Sequence, residues 1–231
     1  GGVLGRMAGA IHHFQQISLA LSRETRLERM LDVVLENLIE MAKGRGGAVF
    51  LYEEDSGELI LATGINSEYY PQSLKLDEAL RSDPARVLST RLDREHRYLT
   101  LALRDRQEAL LGVLALEVSP ALPAAAVKSL RQFLDSLSGT LAVAIETRQL
   151  FEGQQHLLES IIRLLATAID AKSPYTGGHC DRVPQLAEML INRALGADNG
   201  SLAGFSMDAE EFYAFRIAAW LHDCGKITSP E

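Results

Sequence analysis

Apolar residues recur along this chain with more than one period, and the changes of period mark its elements. From about residue 7 to 43 they fall four and three apart. Leu27, Leu31, Val34, Leu38 and Met41 share one stripe, which predicts a single long amphipathic helix. Its expected end is Gly44, with Lys43 against the negative end of the dipole. Residues 46–63 change to an apolar run, an acidic turn at Asp55-Ser56-Gly57 and a second apolar run, the pattern of a β-hairpin. Pro71 and Pro84 break the stretch 64–96, where one short helix is expected. Residues 97–104 and 109–118 predict two further strands around a polar turn at Asp105–Glu108, and Pro120 and Pro123 close the block. Helix, strands, irregular middle, strands and helix make an α+β domain: an antiparallel sheet with flanking helices.

A second long helix is predicted from about Ala124. Positions 130, 134, 137, 141, 144, 148, 151, 155, 158, 162, 165 and 169 step by four and three, and only Arg148 and Gln155 among them are polar. A stripe of more than five heptads reads as a coiled coil, and hence as a parallel homodimer through the long helices. The alternative is a helix packed on its own sheet. Gly153, with Arg148 and Gln155 beside it, marks the place for a kink between two domains. Beyond Lys172 the pattern is helical: a turn-rich entry at 173–182, a helix with Pro184 in its first turn running to about Leu195, a loop at 197–206, and an amphipathic helix from Asp208 to about Cys224.

Composition narrows the class. With 47% hydrophobic and 23% charged residues the chain can build a core, which excludes intrinsic disorder. A net charge of −8 argues against a nucleic-acid partner that would be held by its phosphates. No apolar stretch approaches the roughly 18 residues of a membrane span. The opening GGVLGRM has no basic segment followed by an apolar block, so a secretory signal is not expected, and a first residue other than Met points to an excised or engineered start. Two cysteines, Cys180 and Cys224, fit a reducing cytoplasm.

The candidate chemistry lies near the C-terminus. His222 and Asp223 are adjacent, His179 lies upstream at the opening of another helix, and Lys226 follows one turn after His222. Two imidazoles and a carboxylate offer mixed N/O ligands to a first-row transition metal. Asp223 could bridge two ions, and Lys226 could neutralise a phosphate as a point charge. On spacing alone the same residues read more readily as a helix-end pair and a cap. The segments DAKSPYTGGHCDRV and AAWLHDCGKITSPE, however, resemble the opening of an HD-GYP domain, a branch of the HD phosphohydrolase superfamily. That resemblance covers about residues 157–231. It implies His179, His222 and Asp223 as metal ligands, Lys226 with Asp223 as the catalytic residues, and Lys226 in contact with the substrate phosphate. Arg182 faces either that phosphate or an acidic neighbour on the helix surface. It further implies divalent transition metal ions, iron, manganese or similar, and cyclic di-GMP as the substrate. The family's later histidines, closing aspartate and Gly-Tyr-Pro segment have no counterpart here. The expectation is therefore a truncated domain, inactive by itself and not required to hold metal, in a parent that is a phosphodiesterase. Cys180 and Cys224 are expected to pack, and Trp220 to lie in the core.

Residues 17–150 resemble a GAF domain in their order of helix, strands and helix. The resemblance implies a sensor for an unknown small ligand, signalling along its terminal helices. Tyr69 and Tyr70 are candidates for its pocket, with buried packing the simpler role. The domain plan is then a helical extension at 1–16, the sensor at 17–150, a helical linker at 151–172, and the start of an all-α HD-GYP domain at 157–231, overlapping the linker. Two functions remain in play: a cytoplasmic signalling protein whose sensor is coupled to a metal-dependent phosphodiesterase, or a non-catalytic, dimerising, ligand-sensing module.

Overall fold

The computed structural model describes residues 3–77, 82–92, 96–170 and 179–223. The chain divides into two compact units, Gly1–Leu150 and Phe151–Glu231. In the first unit two helices, α1 (Val3–Arg23) and α2 (Leu27–Ala42), precede the hairpin β1 (Gly47–Glu53) and β2 (Glu58–Ile65). A short strand β3 (Ser73–Lys75) and helix α3 (Pro84–Arg91) lead to β4 (Arg97–Arg104) and β5 (Leu110–Val118). Helix α4 (Ala124–Asp170) follows, 47 residues without interruption. The sheet order is β3-β2-β1-β5-β4, with every neighbouring pair antiparallel. The chain thus has the expected α+β class, an antiparallel sheet with flanking helices that runs into a long helix.

Period-two alternation buries both faces of this sheet. Val49, Leu114, Leu116 and Val118 turn toward α1, α2 and α4, in a core with Leu31, Val34, Leu38 and Leu141. Ala48, Phe50, Val113 and Ala115 turn the other way, toward Tyr70, Leu74, Leu88 and Leu92. Gly112, in the middle of β5, has no room for a side chain, because a Cβ there would overlap the Phe50 carbonyl oxygen on β1.

In the first unit four expectations need correction. The single helix over 7–43 is two helices, broken at residues 24–26 where Arg26 is extended. The break is held from outside: the Arg148 guanidinium on α4 donates to the carbonyls of Leu21 (2.9 Å) and Glu24 (2.8 and 3.0 Å). Arg148, expected beside a kink, thus sits in an unbroken helix and caps the C-terminus of α1. Second, the left-handed residue ending α2 is Lys43 (φ 49°), whose N–H donates to the Glu40 carbonyl. Gly44 serves a different need, since a Cβ there would overlap the Glu117 carbonyl oxygen on β5. Third, the middle stretch holds the expected short helix, α3, and in addition the unexpected strand β3, three residues paired with β2. Fourth, the first half of the long stripe does not face outward. Leu130, Leu134, Leu137, Leu141 and Ala144 are buried in the chain's own core, so the helix-on-sheet alternative holds for that half.

Among its described residues the regular elements of the second unit are all helices. It comprises the end of α4, α5 (His179–Leu195) and α6 (Ala209–Leu221). Helix α5 begins five residues before Pro184, which lies inside it rather than in its first turn. Asp208 and Glu211 form a reciprocal capping box at the start of α6. Arg216 on α6 reaches Glu159 on α4 at 3.4 Å and Glu188 on α5 at 4.0 Å, joining three helices. Trp220 is only half-buried, and the Arg163 guanidinium stacks 5.1 Å from its ring centroid. Its expected place in a core is replaced by this cation–π contact.

Two stability predictions follow from these helix ends. Arg148→Ala strips three charge-assisted bonds from carbonyls at a helix terminus and should cost about 2 kcal/mol in urea unfolding of the first unit. Lys43→Gly should instead raise its stability by about 0.5 kcal/mol, because glycine accepts the left-handed conformation without strain.

Candidate metal centre and sensor face

His222 caps the C-terminus of α6. Its Nδ1 lies 2.7 Å from the Ala219 carbonyl oxygen. A carbonyl only accepts, so the proton sits on Nδ1, and the neutral ring then carries its lone pair on Nε2. A backbone partner that fixes the tautomer and orientation of an imidazole in this way is the usual support of a metal-binding histidine.

The Asp223 carboxylate lies beside that nitrogen, with Oδ2 3.4 Å from Nε2. This is longer than a strong charge-assisted hydrogen bond, about 2.7–2.9 Å. Two ligands of one ion at about 2.1 Å lie roughly 3.0–3.4 Å apart, so the separation fits shared coordination. An imidazole lone pair facing a carboxylate is stabilised by a proton or a cation between them.

The other expected members of the site stand as follows. His179 is the first residue of α5, but its side chain, like that of the adjoining Cys180, lies outside the described residues. Lys226 and Cys224 also lie outside them. Arg182 is exposed in the first turn of α5. Among the described residues no three His, Cys, Asp or Glu side chains converge to hold an ion. What sequence reasoning missed is the Ala219 carbonyl and the Arg216 link between helices. The first is a backbone group with no residue-type signal, and the second depends on how three helices meet.

The first unit offers a different surface, the sheet face opposite α1, α2 and α4. Tyr69 is exposed there, whereas Tyr70 is 6% exposed and packs between Phe50 and Tyr98, with ring centroids 6.4 and 6.1 Å away. Its hydroxyl is buried and finds no hydrogen-bond partner among the described residues. Burial, with Tyr98 and Glu117 adding to it, pushes its pKa well above the ordinary tyrosine value. His96 stacks near both Tyr69 and Tyr98, and Arg45 bonds His96 as well as Glu117. Of the two tyrosine candidates, then, the packing role falls to Tyr70.

Fold and site together define an α+β unit followed by a helical unit whose last described turn presents an oriented imidazole beside a carboxylate. No family profile matches the chain. Among curated proteins it is similar to the 3'3'-cGAMP-specific phosphodiesterase 3 of Vibrio cholerae serotype O1, 38% identical over 99 residues. The match takes in 39% of this chain and 19% of the relative, so it spans about a fifth of that protein's length. Among solved structures it is similar to the GAF domain of the Acinetobacter phosphoenolpyruvate-protein phosphotransferase (TM-score 0.47, 16% identity, 62% of this chain and 96% of that one). The corresponding GAF domain from Coxiella burnetii matches with a TM-score of 0.46 at 16% identity, over 62% of this chain and 96% of that one. The class assignment rests on the sheet order and helices described above.

The Tyr70 hydroxyl makes a direct test of this sheet face. Removing a buried, unpaired hydroxyl while keeping the ring should be neutral or stabilising by up to about 1 kcal/mol. Tyr70→Phe should therefore unfold at the same or higher urea concentration, and a clear loss would reveal a partner for that oxygen.

Proposed function

We propose that this chain is part of a bacterial, cytoplasmic signalling protein in which a GAF-like sensor is coupled to a metal-dependent phosphodiesterase of the HD-GYP type. The substrate class is a 3',3'-cyclic dinucleotide, cyclic di-GMP or a close relative. The observation that carries the reading is the 38% identity to a protein named as a cyclic dinucleotide phosphodiesterase. The backbone-oriented His222 beside Asp223 supports it.

In this reading His222 Nε2, an Asp223 oxygen and His179 would hold divalent metal, and that metal would supply Lewis acidity and an activated water at the phosphate. Arg216 ties α6 to α5 through Glu188, nine residues after His179 and twenty-eight before itself. In an antiparallel pair this link would bring the start of α5 and the end of α6 to one end of the bundle. Lys226 offsets charge on the scissile phosphate. Hydrolysis adds water across one P–O bond of the ring, leaving a linear dinucleotide with a terminal phosphate and a freed hydroxyl. Three ligands do not complete a two-metal site, so turnover requires ligands beyond these three.

The test pairs metal analysis with product assay, using cyclic di-GMP and 3'3'-cGAMP. It compares the 231-residue chain with the same chain extended along its reading frame. The short chain should carry little metal and give no turnover. The longer one should do both, losing metal and turnover on His222→Ala or Asp223→Ala, and losing turnover but keeping metal on Lys226→Ala. Robust turnover by the short chain, abolished by Asp223→Ala, would show that the three ligands suffice. Absence of metal and turnover in the longer chain would leave the non-catalytic sensing module.

A further inference from the structure

Within the first unit, the turn between β4 and β5 faces residues 143–150 of α4 across an open cleft of about 390 Å³. That volume lies in the lower part of the range for small-molecule sites, roughly 300–1,000 Å³. Asp105, Arg106 and Gln107 line the cleft from the turn, and Val143, Glu146, Thr147 and Leu150 line it from the helix. It shares no residue with the sheet face around Tyr70 or with the candidate metal centre.

Both walls are fixed independently of any ligand. The Asp105 carboxylate accepts from the backbone N–H groups of Gln107 and Ala109, each at 2.8 Å, and the Asp105 N–H donates to the Ala109 carbonyl at 3.0 Å. The Arg104 guanidinium holds the Glu108 carbonyl at 2.9 Å. On the opposite wall, Arg148 anchors α4 through its bonds to Leu21 and Glu24. Preorganised walls lower the ordering cost of binding.

The two walls differ in chemistry. The turn offers the Arg106 guanidinium and the Gln107 amide, while two N–H groups already offset the Asp105 charge. The helix offers the half-buried Glu146 carboxylate and the Thr147 oxygen, whose proton goes to the Val143 carbonyl at 2.7 Å. Among the described residues neither Arg106 nor Glu146 makes an ion pair or a side-chain hydrogen bond, with each other or with anything else. A half-buried carboxylate without a partner favours a cation beside it. Val143 and Leu150, the latter 63% exposed, add aliphatic surface to the helix wall.

We infer that this cleft binds a free α-amino acid with an aliphatic side chain. Such a molecule carries an ammonium donor and a carboxylate acceptor on one carbon, so it bridges two walls of opposite character that do not pair with each other. Its carboxylate meets Arg106 and Gln107, its ammonium meets Glu146 and Thr147, and its side chain lies against Val143 and Leu150. A simple anion would satisfy Arg106 and be repelled by Glu146, and a metal ion would do the reverse. A peptide separates its two terminal charges by at least one further residue, too far for one small cleft. An occupant ties the β4–β5 turn to α4 two residues from Arg148, which already joins that helix to the end of α1.

The experiment is a saturation-transfer NMR titration of the 231-residue chain with L-leucine, L-isoleucine and L-valine. N-acetyl-L-leucine, L-leucinamide, leucyl-leucine and L-aspartate serve as comparisons. At least one aliphatic amino acid should bind with a dissociation constant of about 0.1–1 mM, as fits a ligand of this size. Each comparison compound should bind at least tenfold more weakly, because it lacks one charge, separates the two, or brings a charged side chain to Val143 and Leu150. Arg106→Gln and Glu146→Gln should each weaken the amino acid at least tenfold with an unchanged circular dichroism spectrum, since neither side chain is bonded within the unit. Absence of binding by all three amino acids at about 10 mM overturns the inference. Equal binding of N-acetyl-L-leucine or L-leucinamide overturns it on the native chain alone, with no variant needed, and binding that survives both substitutions overturns it as well.

Discussion

The first unit is organised by one constraint: the two central strands, β1 and β5, are apolar on both sides. In β1 the alternation sends Val49 one way and Ala48 and Phe50 the other, and β5 does the same with Leu114 and Leu116 against Val113 and Ala115. A sheet of this kind cannot leave a face to water, so both must be roofed. Helices α1, α2 and α4 cover one side, and β3, α3 and Tyr70 contribute to the other. Close strand contact at the centre then excludes a side chain at Gly112. The buried Tyr70 hydroxyl lies on the second of these faces, the one covered mostly by short elements rather than long helices.

The sheet was legible because strand periodicity and turn chemistry agree. The hairpin over 46–63 and the strands over 97–104 and 109–118 appear within a residue or two of their observed bounds. The break between α1 and α2 was hidden because residues 22–26 contain neither glycine nor proline and the apolar phase runs on unbroken. What stops the helix there is Arg148, more than 120 residues away. The short strand β3 shows one buried side chain, Leu74, too little for a period of two to register. The long stripe carried a different ambiguity. Leu137 at a heptad position looks the same whether it meets its own sheet or a partner's helix, and only the packed structure assigns it to the former.

The candidate metal centre was legible in residue type and less so in arrangement. His222 and Asp223 stand out as a dipeptide, and the structure adds the proton location that the Ala219 carbonyl dictates. That backbone contact arises from the helix end itself, three residues back, and no choice of side chain announces it. Trp220 illustrates the converse. Its place in the helix before His222 suggested a core residue, yet it serves as a platform for Arg163, an interaction that requires knowing which face of α4 meets α6.

The outer strands of the sheet have a consequence for how copies of this protein meet. An unpaired strand edge is a template for adding another strand, and long apolar edges invite aggregation. Here one edge is β3, only three residues long and ending in Lys75. The other, β4, begins and ends in arginine, Arg97 and Arg104, and α3 packs beside it. The Arg104 guanidinium is spent on the carbonyls of Glu108 and Ser82, which turns the end of that edge back onto its own loops. Strand addition is thereby discouraged at both margins, so a crowded solution of this protein has little route to sheet-extended filaments.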